Sequence, residues 1–314
     1  MSLATALEIV VAIVSLGVAV WVVAVRETYN AVVGFVAFGL LVALAWARLQ
    51  ATDVALTEAA IGGLTGVMLL AAAARLRVTE ARDGAERSGL ALRVAAAVLC
   101  VALAAGLAIA VLFLPDPAPT LAPEAAANIA ATGLGNPVTA VLMAYRATDT
   151  LLEKIVLLLA LVGAWSLARD RLWGGRPGPR HTADPQGELA FFARLLPPVG
   201  IVVGIYVLWV SADKPGGAFQ GGTIIAAMWL LVMMAGLADA PPVSRRWLRG
   251  VLVAGPAVFM LAGLGGLWLG EAFLAYPPAY AKAIIVAIEV PMLLTIAATL
   301  GLLLAGAPER DPGA

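Results

Sequence analysis

Between Leu90 and Phe113 the sequence reads LALRVAAAVLCVALAAGLAIAVLF, and Arg93 is the only charged residue in it. The hydrocarbon core of a bilayer is about 30 Å thick, so a helix needs about 20 apolar residues to cross it. This stretch therefore predicts a transmembrane helix, and the same criterion predicts nine of them in the whole chain. The nine predicted spans are Leu3–Val25, Ala31–Ala47, Val54–Leu76, Leu90–Phe113, Val138–Leu167, Phe191–Val210, Gly217–Leu237, Gly250–Gly270 and Tyr280–Leu304.

The composition agrees with a chain that lies mostly within a membrane. Hydrophobic residues make up 62% of it and charged residues 13%, and the mean hydropathy is +0.97. A soluble domain is roughly half apolar and a quarter charged. Lys and Arg together number 20, as do Asp and Glu, so the net charge gives no indication of a nucleic-acid partner. We predict an all-α integral membrane protein.

The cysteine and histidine content argues against a catalytic or metal site. Cys100 is the only cysteine and lies in an apolar run, and His181 is the only histidine and lies in a polar loop. Thiolate or imidazole metal sites take several such ligands, and a histidine-based triad needs its partners nearby. We expect no catalytic residue, no metal site and no cofactor, and therefore no enzymatic activity in this chain itself.

Basic residues are distributed unequally between the two sides of nine alternating spans. Fifteen of the 20 fall on one side, and only Arg48, Lys214 and Lys282 fall on the other. Loops rich in Lys and Arg stay in the cytoplasm. We expect the N-terminus outside, the C-terminus in the cytoplasm, and the chain in the inner (cytoplasmic) membrane. The fifteen are Arg26, Arg75, Arg77, Arg82, Arg87, Arg93, Arg169, Arg171, Arg176, Arg180, Arg194, Arg245, Arg246, Arg249 and Arg310.

A polar cytoplasmic segment, residues 171–189, divides the predicted spans into two groups. Its glycines and prolines are typical of a linker. Residues 1–170 contain five predicted spans, and residues 190–314 contain four. The fifth span is longer than one straight crossing requires, so its start, Asn136–Asp149, is expected to lie outside the hydrocarbon or to tilt strongly.

Two acidic residues open the third predicted span. Asp53 stands where the helix starts, and carboxylates favour the positive N-terminus of a helix. Glu58 is about a turn and a half deeper, which is too far for capping. An ionised side chain at membrane depth costs at least about 2.5–3.5 kcal/mol. Glu58 is therefore expected to be a proton or ion relay, or else a buried structural partner.

The fifth and ninth predicted spans carry further charges. Arg146, Asp149 and Glu153 are spaced i, i+3, i+7 and share one helix face, which predicts either an ion relay or a self-neutralising cluster at an interface. Lys282 and Glu289, seven residues apart, also share a face. Pro291 frees a backbone carbonyl about a turn earlier. Glu289 is thus a candidate cation ligand, or half of a Lys–Glu pair that bridges two helices.

The loop between the sixth and seventh predicted spans is rich in glycine, and residues 215–222 read PGGAFQGG. Its first glycines favour a tight turn, and glycines four residues apart allow a neighbouring helix to approach closely. The glutamine would then lie in the membrane and need a hydrogen-bond partner. We predict a packing motif formed by Gly216, Gly217, Phe219, Gln220, Gly221 and Gly222.

These motifs resemble two subunits of the Mrp-type cation/proton antiporters. PGGAFQGG is similar to the Pro-Gly-Gly-Gly-Phe-Gln-Gly-Gly signature of the MrpB subunit, with Ala218 in place of a glycine, and this likeness covers about residues 190–306. ATDVALTE at residues 51–58 is similar to the Ala-Pro-Asp-Val-Ala-Leu-Thr-Glu segment near the end of the MrpA subunit. The segment from Asn136 to Glu153 is similar to another part of that region, so the MrpA likeness covers about residues 1–170.

The resemblance implies a fusion of the MrpA C-terminal region, which is like a small complex I membrane subunit of the J type, with an MrpB subunit. It implies a membrane subunit of a multisubunit Na⁺/H⁺ antiporter complex, with a large antiporter-like subunit among its partners. Carried over residue by residue, Glu58, Asp149 and Glu153 become candidates for the ion path. The alternative is a purely structural scaffold subunit of a complex I-like or hydrogenase-like membrane arm.

Overall fold

The protein is a bundle of α-helices with a few short helical turns. The computed structural model describes residues 2–83, 89–115, 117, 119–178, 181, 184, 186–270 and 272–308. The helices are α1 (Leu3–Ala24), α2 (Thr28–Arg48), α3 (Thr52–Asp83), α4 (Leu90–Leu112), α5 (Ala122–Thr132), α6 (Pro137–Ala140), α7 (Ala147–Ser166), α8 (Glu188–Val210), α9 (Ala218–Met234), α10 (Arg246–Leu269) and α11 (Ala281–Ala305).

Seven helices of this described part are long and apolar enough to cross a membrane: α1, α2, α3, α4, α8, α10 and α11. The protein is therefore a multi-pass membrane protein. The predicted seventh span corresponds to α9, which is apolar but has only 17 residues. The C-terminal part of the predicted fifth span corresponds to α7, which carries Asp149, Glu153 and Lys154 within 20 residues.

The long fifth stretch is broken before α7. After α6 the chain forms a five-residue π-helix, Val141–Tyr145, and Arg146 then leaves helical geometry at φ −128° and ψ 37°. The Thr150 hydroxyl donates a hydrogen bond of 2.6 Å to the carbonyl of Leu142 across this break. A short π-helix widens a helix by one residue and often marks a functional position.

Helices α1, α2 and α3 pack side by side, and α9 and α11 lie at the centre of a second group with α8 and α10. The two groups meet where α3 contacts α9, and α7 packs on α10 and α11. Close crossings depend on glycine. A Cβ on Gly221 would collide with the carbonyl of Gly204 in α8, and a Cβ on Gly222 would lie 2.9 Å from Ile296 in α11.

The first residues of the predicted linker have defined partners. Val243 and Ser244, just before α10, donate backbone hydrogen bonds to the carbonyls of Gly175 and Gly174. Gly178 donates to the carbonyl of Ala307, near the end of α11. This segment therefore ties the ends of three helices together on one side of the bundle. Several residues of the sequence-based predictions lie outside the described residues: Pro179, Arg180, Thr182, Ala183 and Pro185 of the linker, and the basic residues Arg87 and Arg310.

Candidate ion-path chamber

A chamber of about 320 Å³ lies where the two helix groups meet. Its wall comes from the first turns of α3, the π-helix, α7, the glycine-rich loop before α9, and α11. The wall is mostly apolar, with three charged residues: Glu153 and Lys154 from α7 and Glu289 from α11. It therefore brings together charges from both halves of the sequence.

Glu289 is the buried acid of the chamber, with only 4% of its surface exposed. The hydroxyl of Ser211 donates a hydrogen bond of 2.6 Å to its Oε2. The backbone N–H of Ala218, in the first turn of α9, points at its Oε1 over 3.4 Å. A helix N-terminus carries partial positive charge, so this position favours a carboxylate.

Lys154 is the buried base of the chamber, and it is also 4% exposed, whereas Glu153 beside it is 51% exposed. Its Nζ donates a hydrogen bond of 2.8 Å to Oε1 of Glu153. The same ammonium lies 4.7 Å from the centre of the Phe219 ring, a favourable cation–π distance. Lys154 also acts electrostatically on Glu289. It therefore stands between one acid that reaches the surface and one that does not.

Asp53 joins three segments of the chain beside the glycine-rich loop. Its Oδ1 accepts a hydrogen bond of 2.9 Å from the N–H of Gly216 and a longer one of 3.4 Å from Asn136. Asn136 also donates to the carbonyl of Lys214 over 3.0 Å and caps α6 through Val138. One carboxylate thus joins α3, α6 and the loop before α9, although the sequence indicated only a role at the start of a helix.

The glycine-rich loop requires glycine at its turn. Gly216 has φ +154°, and a Cβ there would collide with the carbonyl of Val207. A Cβ on Gly217 would lie 2.6 Å from Oε1 of Gln220. Gln220 is buried, and its Nε2 lies 3.5 Å from the carbonyl of Asp53. The structure thus holds this loop through its backbone, so that Phe219 and Ala218 reach the chamber.

Other charged candidates lie outside the chamber. Arg146 and Asp149 form an ion pair of 2.5 Å, and both side chains are more than half exposed. Lys282 pairs with Asp213 at 2.7 Å instead of with Glu289. The Glu58 side chain turns towards Gly39 of α2, while its neighbour Thr57 lines the chamber. Glu58 has no hydrogen bond or ion pair with the residues that the structure describes.

Sequence reasoning missed the partners that shape the chamber. Neither Ser211, just before the glycine-rich loop, nor Lys154, next to Glu153, was assigned a role from the sequence. Thr139 was also missed, and its hydroxyl donates a hydrogen bond of 2.7 Å to the carbonyl of Ser211. The available signal was a polar residue at the end of an apolar run.

Outside the spans, burial raises the pKa of Tyr276 to about 12, so its phenol stays protonated at neutral pH.

Two family profiles match separate parts of the chain. Residues 189–307 match a domain related to the MnhB subunit of Na⁺/H⁺ antiporter. Residues 13–78 match the MbhD family, a component of MBH. The chamber lies between these regions, since Thr57 belongs to one and Glu289 to the other, while Glu153 and Lys154 lie in the stretch that joins them.

Solved structures share this fold. A chain in the Mrp complex from Dietzia sp. DQ12-45-1b is 25% identical, with a TM-score of 0.68, over 96% of this chain and 35% of that one. A chain in the membrane-bound sulfane sulfur reductase, an archaeal respiratory membrane complex, is 24% identical, with a TM-score of 0.55, over 68% of this chain and 97% of that one. The second likeness is one of fold.

An uncharacterized protein of Methanocaldococcus jannaschii is 26% identical over an alignment of 154 residues. This alignment covers 44% of this chain and 59% of that protein. This chain thus spans less than two thirds of that protein and about a third of the Dietzia chain. The two profile matches together cover more than half of the chain. With the PGGAFQGG motif and the shared fold, they show that the chain combines a domain related to the MnhB subunit of Na⁺/H⁺ antiporter, at residues 189–307, with an MbhD-like region at residues 13–78.

Proposed function

We propose that this protein is a membrane subunit of a multisubunit Na⁺/H⁺ antiporter complex, and that its chamber is one segment of the ion path. The observation that carries the proposal is the arrangement of Glu153, Lys154 and Glu289 around one cavity between the two helix groups. Two of the three are almost fully buried. The chain itself carries out no covalent chemistry in this proposal.

Physical cost supports a transport role for these charges. Burying an ion is expensive, and a buried ion pair is rarely more stabilising than well-packed apolar side chains. A scaffold could fill this space with leucine at no loss of stability. Instead the chamber keeps open volume next to two buried charges, and Glu153 connects them to the exposed face of α7. Ionisable residues within membrane segments mark ion pathways in many transporters.

The scaffold alternative also has an observation in its favour. The Asp53 carboxylate accepts hydrogen bonds from Asn136 and Gly216. A hydrogen-bond network of this kind has only the role of joining helices. We assign Asp53 and the glycine motif to this joining role. The path role is assigned to Glu153 and Glu289 together with Lys154. Arg146 and Asp149 form an exposed ion pair at the start of α7. Lys282 pairs with Asp213 and so holds the loop between α8 and α9.

The membrane arrangement follows from the same proposal. In this proposal α7 and α9 cross the membrane together with the seven long helices. The excess of basic residues on one side supports a cytoplasmic C-terminus and an external N-terminus in the inner membrane. The front region, residues 1–170, and the back region, residues 190–314, act as two fused subunits joined by residues 171–189. The partners are further Mrp-type subunits, including a large antiporter-like one, and the transported ions are Na⁺ and H⁺.

The test is Na⁺-driven proton movement in membrane vesicles that contain the complete complex with Glu153→Gln or Glu289→Gln. We expect each variant to assemble and to lose at least about nine tenths of the transport rate. Glu124→Gln, an exposed carboxylate of α5 away from the chamber, is the matched control and is expected to transport normally. Wild-type rates in both chamber variants would refute the path role, and loss of the assembled complex would support the scaffold alternative.

A further inference from the structure

We propose that the chamber passes protons and excludes Na⁺, so that the cation site of the antiporter lies elsewhere in the complex. This inference rests on the proposed function, because it names the ion that the same path carries. It also reverses the sequence-based expectation that Glu289 is a cation ligand. Three features of the chamber carry it: the hydrogen-bond donors around Glu289, the hydrogen bonds that nearby carbonyl oxygens already accept, and the position of Lys154.

The groups around Glu289 are donors, whereas Na⁺ needs acceptors. Oε2 accepts from the Ser211 hydroxyl and Oε1 faces the N–H of Ala218. A hard cation requires several oxygen ligands whose lone pairs point at one centre. Here an O–H and an N–H point at the carboxylate from two sides, which stabilises a bare anion. A cation that took these two lone pairs would have to displace both donors.

Three carbonyl oxygens at or near the wall already accept hydrogen bonds. The hydroxyl of Thr139 donates to the carbonyl of Ser211, and that of Thr150 donates to the carbonyl of Leu142. The hydroxyl of Thr57 donates to the carbonyl of Asp53. Each bond occupies one lone pair of a carbonyl oxygen that could otherwise serve as a ligand. Among the described residues, no group of three acidic, histidine or cysteine side chains is close enough to hold a metal ion.

The ammonium of Lys154 repels a cation that enters the chamber. Its ammonium is held by Glu153 and by the Phe219 ring, and it is almost completely buried. Repulsion between like charges is strong in such a poorly hydrated space. A proton avoids this barrier because it binds one lone pair of a carboxylate and needs no shell of ligands. Two acids and one lysine leave one negative charge, which a single proton neutralises.

The charged and polar groups that face Glu289 come from three neighbouring segments. From α7 comes Lys154, from the end of α8 comes Ser211, and from the start of α9 come the Ala218 N–H and Gln220. In this set Lys154 is the one basic side chain. Proton uptake forms an O–H bond at Glu289 and removes its negative charge. Release breaks that bond and restores the carboxylate.

The experiment is the Na⁺ dependence of antiport by the complete complex, reconstituted in vesicles, for wild type, Glu289→Gln and Glu153→Gln. We expect the maximal rate to fall at least about tenfold in both variants while the apparent KM for Na⁺ changes less than about twofold. A residue that exchanges protons sets the rate of turnover, but it does not set how tightly Na⁺ binds. Glu124→Gln is again the control, and assembly of each variant is checked by the yield of intact complex.

Two outcomes separate this inference from the function on which it rests. An apparent KM for Na⁺ raised about tenfold or more in Glu289→Gln, with the maximal rate regained at saturating Na⁺, would make Glu289 a Na⁺ ligand. That result would overturn the inference and leave the chamber on the ion path. Unchanged rates and unchanged KM in both variants would overturn the path role itself, and the inference with it.

Discussion

At the scale of single residues, the backbone of the glycine-rich loop determines where the chamber's polar groups point. Gly216 holds a backbone conformation that L-residues rarely adopt, and its N–H is bound by Asp53. Through this contact an acid of the front region sets the position of a loop in the back region. The neighbouring Ala218 then presents its N–H to Glu289. A small change at Gly216 should therefore reach the chamber.

We predict that Gly216→Ala destabilises the assembled complex by about 2 kcal/mol or more, because the new Cβ collides with the carbonyl of Val207 and the positive φ is strained. The measurement is the thermal unfolding midpoint of the purified complex. Gly265→Ala in α10 is the matched control, since a Cβ there meets nothing within 4 Å. An unfolding midpoint for Gly216→Ala equal to that of the control would contradict this account of the loop.

The sequence predicts residue roles only where the cause is local. The Pro-Gly-Gly turn and the small residues needed at a helix crossing follow from residue type and spacing. The role of Asp53 does not, because its carboxylate binds a backbone N–H that lies 163 residues further along the chain. Glu58 and Glu153 appeared equivalent in the sequence, yet only Glu153 lines the chamber, since side-chain direction depends on how the helices pack.

At the scale of helices, α10 and α11 are joined by a side chain that enters the hydrogen-bond ladder of its neighbour. The Thr295 hydroxyl accepts a hydrogen bond of 2.9 Å from the N–H of Gly255 and donates one of 2.7 Å to the carbonyl of Val251. In a regular helix that N–H and that carbonyl would bond to each other. The insertion lies next to Pro256, which already weakens the ladder of α10. It fixes the register of α11, and thereby of Glu289.

We predict that Thr295→Val destabilises the complex by about 1–3 kcal/mol, because the N–H of Gly255 and the carbonyl of Val251 lose their partner at nearly constant side-chain volume. Thr299→Val is the control one turn later. Thr299 is equally buried, but it donates only to the carbonyl of Thr295 in its own helix. Both are measured as the unfolding midpoint. Equal losses in the two variants would show that the insertion has no special role.

The helix-scale architecture was largely predictable, with one exception. Apolar length predicts every long helix of the described part, because in lipid the backbone must satisfy its own hydrogen bonds. The excess length of the fifth stretch also indicated an irregularity. The sequence did not indicate its form, a π-helix ending at Arg146 and held by Thr150, because the widened turn depends on a contact made only after folding.

At the scale of the whole molecule, much of the apolar surface has no partner within the described part of the chain. Every residue of α4 from Leu90 to Leu112 is exposed. Helices α9 and α11, by contrast, each bury about half of their residues. The surface of α4 is therefore suited to contact with lipid or with other membrane proteins, while the centre of the chain surrounds the chamber. This arrangement fits one subunit of a larger assembly.

The proposed orientation makes a prediction for the complex in intact cells. In a Cys100→Ser background, a cysteine introduced at Asn128, in α5, should react with a membrane-impermeant thiol reagent added outside. A cysteine introduced at Gln186, just before α8, should react only after the membrane is opened. Both positions are exposed, so accessibility to the reagent depends on the side of the membrane. Reaction of both cysteines from outside would rule out nine alternating spans.

The central claim is that ions pass through the chamber, and chemical blockage of the chamber tests it most directly. Thr57 lines the chamber, and its hydroxyl bonds the carbonyl four residues earlier. Thr65, two turns along α3, makes the same kind of bond but does not line the chamber. In a Cys100→Ser background, each threonine is changed to cysteine and modified with a bulky, water-soluble thiol reagent. The account predicts that modification at position 57 stops antiport and modification at position 65 leaves it intact. Full antiport by a complex modified at position 57 would contradict it.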